Sequence, residues 1–260
     1  MTLTAITRGV SPAINRCELG FLPRQEIDIE KAAAQHQAYE ACLRDLGVGV
    51  FSLPPEPDLP DSMFVEDPAV VVDEVAVMTR MGAASRRGEG ATLAPVLARY
   101  RPLRWMKEPG TLEGGDVLRM GRTLYVGLSA RTNQAGIDQL SEYLRPFGYF
   151  VRPVVVGNCL HLKSACTRLD DRTLLANRAC FDPAAFRGLR IVDVPPDEPR
   201  AGNVLVIGRT VVVPAAFPRT AAMVERLGWK DRLLDISELL KAEAGLTCSS
   251  ILLETGRGVG

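Results

Sequence analysis

Five polar residues of different chemical types stand at nearly regular intervals along this chain of 260 residues, each at the start of a short apolar segment. They are Asp67, Glu113, His161, Asn203 and Cys248, and the intervals between them are 46, 48, 42 and 45 residues. A period of this size is typical of solenoids, propellers and other repeat arrays. Equivalent positions of a radial array meet near its axis, so these five opening residues are expected to share one pocket.

A thiol and an imidazole in one pocket can act as nucleophile and base. The chain has two histidines, and His36 falls on the apolar stripe of a predicted helix, so His161 is the candidate base for Cys248. The carboxylates of Asp67 and Glu113 suit a planar guanidinium, which they can bind through paired hydrogen bonds. They would also raise the pKa of the thiol, and a bound guanidinium would offset that effect. The set indicates attack by sulfur on the central carbon of a guanidinium.

Each of the first four opening residues is followed by two apolar strand patterns that are separated by a tight turn. The four hairpins are predicted in residues 69–78, 117–127, 165–176 and 204–213. Cys248 opens only half of a fifth copy, with the sequence CSSILLE. We expect residues 3–8 to supply the missing strand, which would place both ends of the chain in one sheet and close a ring.

Each interval between opening residues is expected to hold a helix, for example in residues 86–100, 132–147 and 218–227, and a further helical pattern covers residues 28–46. Strands that alternate with helices indicate an α/β fold. Five such units in a radial arrangement would leave only short, protected edges. The sequence therefore predicts one domain over residues 1–260, built as a five-bladed α/β propeller with pseudo-fivefold repeats around a central site. The alternative is chance recurrence of hairpins in an ordinary α/β protein.

Four short motifs surround the opening residues, and their order and spacing resemble one known superfamily. They are Phe64-Val65-Glu66-Asp67-Pro68, Leu112-Glu113-Gly114-Gly115-Asp116, His161-Leu162-Lys163-Ser164 and Thr247-Cys248-Ser249-Ser250. Together they resemble the guanidino-group-modifying (pentein) superfamily of five-bladed propellers, and within it the dimethylarginine dimethylaminohydrolases. The resemblance covers essentially the whole chain. Arginine deiminases share part of the pattern, but they have T-R-D-P where this chain has Glu66-Asp67, and they carry an extra helical domain.

The resemblance implies a hydrolase that converts Nω,Nω-dimethyl-L-arginine, or the monomethyl form, to L-citrulline and an amine through a covalent thiouronium intermediate. Cys248 would be the nucleophile. His161 would protonate the departing amine and then activate water, and Glu113 would hold the guanidinium and orient His161. Neither a metal nor an organic cofactor is implied.

The resemblance also implies contacts along the rest of the substrate. Arg86 and Arg131 would bind its α-carboxylate, and Asp67 its guanidinium nitrogens. The backbone carbonyl of Leu19, in a loop long enough to act as a lid, would accept the α-ammonium. The remaining implied positions are Asp61 and Glu66, as polar contacts, and Ala242, as a backbone contact.

Composition excludes several other classes of protein. Lys and Arg number 31, as do Asp and Glu, so the chain lacks the basic field of a nucleic-acid binder. The sequence contains no run of 18 apolar residues, so no membrane span is predicted. Its six cysteines form no C-x-x-C pair, which indicates reduced thiols and a cytoplasmic enzyme. A homodimer is a possible assembly. Two alternatives stay open: a hydrolase of another guanidino compound such as arginine, and a non-catalytic propeller that binds arginine-like ligands.

Overall fold

The hairpins predicted from the sequence form, and each gains a third strand. The computed structural model describes residues 2–255. In every hairpin the two strands pair antiparallel, and one of them also pairs in parallel with a further strand. The described residues make five three-stranded sheets, called blades 1 to 5 below.

The blades follow one another along the chain, except that blade 5 joins its two ends. The strands of blades 1 to 3 are β3 (Ala69–Val71), β4 (Ala76–Met78) and β5 (Leu103–Trp105), then β6 (Val117–Met120), β7 (Thr123–Leu128) and β8 (Phe150–Val155), then β9 (Cys166–Arg168), β10 (Thr173–Ala176) and β11 (Arg190–Asp193). Those of blades 4 and 5 are β12 (Leu205–Ile207), β13 (Thr210–Pro214) and β14 (Lys230–Leu234), then β15 (Ile251–Thr255), β1 (Thr2–Arg8) and β2 (Gly49–Leu53).

Blade 5 confirms the predicted closure of the ring. β15 pairs antiparallel with β1, with Ile251 opposite Ile6, and β1 pairs in parallel with β2. A parallel neighbour requires a crossover, and the helix α1 (Ile29–Asp45) provides it. Asp28 begins this helix, because its side chain accepts a hydrogen bond from the backbone N–H of Lys31.

The apolar core lies between the blades. Each of the five buried clusters among residues 2–255 combines side chains of two neighbouring blades, so that blade 1 packs on 2, 2 on 3, 3 on 4, 4 on 5 and 5 on 1. The cluster that closes the ring joins Ile6 and Leu253 of blade 5 to Met78 and Leu97 of the blade 1 unit. This cyclic order confirms the five-bladed α/β propeller.

The helices agree with the predicted segments in all connections but one. They are α1, α2 (Gly90–Leu97), α3 (Gln134–Leu144), α4 (Leu162–Ala165), α5 (Pro218–Arg226) and α6 (Ser237–Leu240). The expectation of a helix in every interval was wrong for residues 177–189, all of which are described: that connection contains only the 3-10 turns Arg178–Cys180 and Pro183–Phe186. The side chains of Asn177 and Asp182 cap these turns, and Gly188 has a left-handed backbone with φ of 91°.

The first strands of blades 1, 2, 4 and 5 line a common central cavity, and the third strand of each blade lies outside. A cavity of about 270 Å³ is lined by β3, β6, β12 and β15. The outer strands are largely exposed; in β8, for example, Phe150 and Val155 face solvent. None of the helices in residues 2–255 has both the length and the apolar character required to cross a bilayer.

Candidate active site

The opening residues meet because each stands just before the inner strand of its blade. A single helical turn separates Glu113 and His161 from β6 and β9, and Cys248 itself lies in the turn that precedes β15. In consequence, ligand atoms of Asp67, Glu113 and His161 lie within 4.8 Å of one another although the residues are far apart in sequence. The predicted convergence of these three residues is therefore present in the structure.

His161 and Glu113 form a buried, charge-assisted pair. The Nε2 atom of His161 lies 2.7 Å from Oε2 of Glu113, and the two residues are 4% and 0% exposed. Burial opposes the charge on His161, but the carboxylates of Asp67, Glu113 and Asp116 outweigh it and raise the pKa of His161 to about 9. Burial would raise the pKa of Glu113, but the hydrogen bond with His161 outweighs that effect, so the pKa of Glu113 is lowered. With Nε2 engaged, Nδ1 is the ring nitrogen left for proton transfer.

Arg131 and a backbone amide complete the surroundings of Glu113. The Nη1 atom of Arg131 lies 3.4 Å from both carboxylate oxygens of Glu113. The backbone N–H of Ala83 donates to Oε1 at 3.2 Å. The Nη1 atom of Arg86 lies 3.9 Å from Oε2 of Glu113, so Glu113 links the imidazole to both arginines that the resemblance assigns to the substrate carboxylate.

Arg86 also forms hydrogen bonds with two further carboxylates. Its Nε and Nη2 atoms donate to Glu89 in a bidentate pair at 2.8 Å, and its Nη1 donates to Oδ2 of Asp67 at 2.9 Å. Burial opposes the positive charge, but Glu89 and Asp67 outweigh it and keep the pKa of Arg86 well above its ordinary value. Asp67 also accepts the backbone N–H of Gly115 at Oδ1. A carboxylate has about four acceptor positions, so Asp67 retains capacity for a further donor.

Cys248 lies at the start of the last inner strand, in a 3-10 turn formed by Thr247–Ser249. The backbone N–H of Gly245 points at its sulfur, with N to Sγ at 3.4 Å. Burial, together with the negative charges of Glu66 and Asp67, raises the pKa of this thiol to about 12. Asp67 is thus within electrostatic range of both the thiol and the imidazole, and a bound cation beside it would favour the thiolate.

Glu66 is directed away from Asp67, toward the axial cavity. Its carboxylate forms an ion pair with Lys163 and accepts a hydrogen bond from Thr247 Oγ1 at 2.9 Å. Both partners line the same cavity. Glu66 and Asp67 lie in a tight turn, in which the backbone N–H of Asp67 donates to the carbonyl of Phe64 at 3.2 Å.

Asp61, Leu19 and Ala242 lie where the N-terminal loop contacts the rest of the protein. The carboxylate of Asp61 accepts the backbone N–H of Glu18, the residue before Leu19, at 3.1 and 3.3 Å. Leu19 packs on the same apolar cluster as the buried Ala242. Beside them, a cavity of about 280 Å³ is lined by residues that include Phe21, Leu22, Leu160, Asn203, Ala244 and Gly245.

Asn203, the fourth opening residue, joins the blades. Its amide nitrogen donates to the carbonyl of Lys163 at 2.9 Å, and its Oδ1 accepts the backbone N–H of Thr247 at 3.0 Å. These bonds tie together the segments that precede β9 and β15. Asn203 therefore has a structural part in aligning His161 with Cys248.

Two buried acids escaped the sequence analysis. Glu89 has no motif that could have revealed it. Asp116 belongs to the E-G-G-D motif but received no role; it accepts hydrogen bonds from Ser129 and Thr132 and from the backbone N–H of Leu162 at 2.9 Å. Its bond to Leu162 anchors the residue after His161, so Asp116 supports the position of the imidazole.

The ligand atoms of Asp67, Glu113 and His161 are close enough for one metal ion to contact all three. Each of these residues already has a partner within the protein. Asp67 is bonded to Arg86 and to the backbone of Gly115, and His161 and Glu113 are bonded to each other. His161 and Glu113 share a proton, and the Asp67 carboxylate beside them accepts hydrogen bonds. This arrangement fits an organic cation as well as it fits a metal ion.

Gly115 leaves the space in which His161 and Asp67 approach each other. A Cβ atom there would lie 2.6 Å from Nδ1 of His161 and 2.7 Å from Oδ1 of Asp67. We expect Gly115→Ala to lower the free energy of unfolding by about 1–3 kcal/mol, as overpacking does. Thermal and urea unfolding would measure this. The control is Gly157→Ala, whose Cβ would meet no atom within 4 Å, and an equal loss in both variants would contradict the prediction.

Comparison with known proteins agrees with this site. The family profile described as "N,N dimethylarginine dimethylhydrolase, eukaryotic" matches residues 12–163. An N(G),N(G)-dimethylarginine dimethylaminohydrolase of Streptomyces coelicolor is 40% identical over 251 residues, which cover 96% of each chain. One of Pseudomonas aeruginosa is 36% identical over 226 residues, 86% of this chain and 89% of the relative.

A solved structure extends the likeness to three dimensions. It is a cysteine-to-serine variant of the Pseudomonas aeruginosa enzyme complexed with citrulline. Its TM-score to this chain is 0.92 at 33% sequence identity, and the match covers 97% of this chain and 100% of the other. Fold, motifs and sequence identity lead to one conclusion: the chain belongs to the dimethylarginine dimethylaminohydrolase family.

Proposed function

We propose that this protein hydrolyses Nω,Nω-dimethyl-L-arginine, and the monomethyl form, to L-citrulline and dimethylamine or methylamine. Within a chain of this family, one observation carries the proposal. A buried His161–Glu113 pair stands beside the carboxylate of Asp67, and the negative charge of Asp67 also acts on the Cys248 thiol. The Streptomyces coelicolor and Pseudomonas aeruginosa relatives are named for this reaction, and the solved neighbour holds its product, citrulline.

The chemistry begins with the thiol. In the empty site the Cys248 thiol is protonated near neutral pH, since its pKa is raised to about 12. A guanidinium bound by Asp67 and Glu113 offsets the carboxylates, and the thiol proton passes to solvent. The sulfur then forms a bond to the guanidinium carbon, and the π electrons move to nitrogen, which gives a neutral tetrahedral adduct.

His161 serves both later steps. Its pKa of about 9 keeps it protonated near neutral pH, so it can give its proton to the departing nitrogen as the C–N bond breaks. Dimethylamine leaves, and a cationic thiouronium remains on Cys248. The neutral imidazole then takes a proton from water, whose oxygen attacks the same carbon. The new hydroxyl group gives its proton to solvent as the C–S bond breaks, so neutral citrulline and the thiolate are released, and His161 is protonated again.

The remaining predicted contacts belong to the same proposal. In the pairs described above, Arg86 uses three of its five N–H groups and Arg131 uses one. Both therefore keep donors for the α-carboxylate of the substrate. The carbonyl of Leu19 would accept the α-ammonium, with Ala242 as a backbone contact. Asp61 would act by holding the loop of Leu19, and Glu66 by its charge close to Cys248.

We also infer that residues 1–260 work as one catalytic domain of a cytoplasmic enzyme. The cyclic packing of all five blades supports a single unit, and the described cysteines are free thiols. A homodimer stays a prediction, which the molecular mass in solution would test.

The deciding experiment is colorimetric measurement of citrulline released from dimethylarginine, monomethylarginine and arginine by the purified chain. We expect release from the two methylated substrates. Release from arginine alone would overturn the substrate assignment and favour a deiminase. Binding of all three without any release would instead favour a non-catalytic propeller.

A further inference from the structure

The loop that covers the site is anchored at both ends but has little apolar support at its tip. We call residues 14–27 the lid. At its base, Asn15 donates to the carbonyl of Ile27 at 3.0 Å and accepts the backbone N–H of Ile27 at 2.7 Å. Ile14 and Ile27 are buried, whereas Gly20 is exposed and Phe21 is 53% exposed. Apolar burial therefore fixes the base of the lid and contributes little at the tip.

One carboxylate holds the tip. Glu243 accepts hydrogen bonds from the backbone N–H groups of three successive lid residues. Gly20 donates to Oε2 at 3.0 Å, and Phe21, at 2.6 Å, and Leu22 both donate to Oε1. Consecutive N–H groups that point into one concavity form a typical anion-binding nest. Hydrogen bonds to an ionised acceptor are stronger than those between neutral groups. Glu243 is thus the principal described contact between the tip of the lid and the rest of the protein.

Glu243 stands in the loop that leads to the nucleophile. It follows Ala242, and two residues later the N–H of Gly245 points at the sulfur of Cys248. Its backbone is left-handed, with φ of 59°, which is unfavourable for a residue with a long side chain. Gly or Asn would be expected at such a position in a loop without a further task. A strained glutamate whose carboxylate spans to the lid indicates that its side chain has a function there.

We propose that Glu243 is a positioning residue that latches the lid over the active site and so sets the carbonyl of Leu19 for the substrate's α-ammonium. The inference rests on the proposed function for the identity of the substrate. Leu19 directly precedes the three latched residues, and on its other side Asp61 accepts the N–H of Glu18. The two carboxylates therefore hold Leu19 from both sides. The latch must open for the substrate to enter and for citrulline to leave.

The variant that tests the latch is Glu243→Asn. Asparagine tolerates the left-handed backbone, but its side chain is one carbon shorter and lacks the charge. Glu243→Gln keeps the length and one acceptor oxygen, so we expect an intermediate effect. The matched control is Glu26→Gln, which removes the same charge from an exposed position of the lid itself.

Three measurements separate the latch from a general structural effect. Hydrogen exchange of the amides of residues 20–22 should be at least about tenfold faster in Glu243→Asn than in the wild type. The Kd for citrulline, by calorimetry, should rise about tenfold, equivalent to about 1.4 kcal/mol. The KM for dimethylarginine should rise similarly while kcat changes less than about threefold, because the reacting groups are untouched. Glu26→Gln should match the wild type in all three.

Each result has a consequence. Unchanged exchange in Glu243→Asn overturns the latch. Faster exchange with unchanged Kd and KM overturns the positioning of Leu19, and a fall in kcat alone does the same. A wild-type protein that binds citrulline but releases none from dimethylarginine refutes the proposed function, and exchange and Kd still decide the latch.

Discussion

Citrulline release by Cys248→Ser is expected to fall by a factor of about a thousand or more, since loss of a nucleophile removes the covalent route altogether. A serine hydroxyl among the same carboxylates is far harder to ionise than a thiol. The measurement is kcat for dimethylarginine, together with intact-mass spectrometry of enzyme quenched during turnover. The wild type should carry a mass adduct on the peptide of Cys248, and the variant should carry none.

The stability of this variant should be near that of the wild type, because Cys248 is only partly buried and a hydroxyl is smaller than a thiol. Cys42→Ser is the comparison, since Cys42 is a buried thiol of the core cluster with no described contact to the site. Its activity per folded molecule should equal that of the wild type. Retained activity in Cys248→Ser, or an adduct on another cysteine, would refute the covalent mechanism.

Glu113→Gln is expected to lower kcat by an amount that increases with pH. The carboxylates raise the pKa of His161 to about 9, and removing Glu113 should move it toward the ordinary value of about 6.5. His161 must be protonated when the amine leaves. At pH 6 most molecules of either protein carry that proton, whereas at pH 8 few of the variant do, so the loss should be more than about tenfold larger at pH 8. The pH profile of kcat measures this.

The same pair predicts how stability depends on pH. The pKa of His161 is higher in the folded than in the unfolded state, so its contribution to stability is fully present below about pH 6.5 and is lost as pH rises through about 9. Urea unfolding of the wild type should show this decline, and Glu113→Gln should show a weaker one. NMR titration of the chain's two histidines, assigned with His36→Gln, would give the pKa directly. Identical titration of His161 in both proteins would contradict the assignment.

The sequence alone determined which residue types recur and at what spacing. The period of the opening residues predicted five blades, and the half copy at Cys248 predicted that β15 would pair with β1. Both predictions hold because short apolar strands with tight turns are specified locally, by alternation and turn residues. The convergence of His161, Glu113 and Asp67 was also predictable, because each opens one of the regularly spaced repeats.

The tertiary structure alone decided which charges face each other. The outer strands were missed because β8 and β14 are largely exposed and show no regular alternation of apolar and polar residues, and they pair with a neighbour that a crossover connects. Asp67 contacts Arg86, 19 residues away, and Glu243 contacts the lid residue Gly20, 223 residues away. Such contacts depend on where distant backbone segments lie, and no local pattern of residues encodes that position.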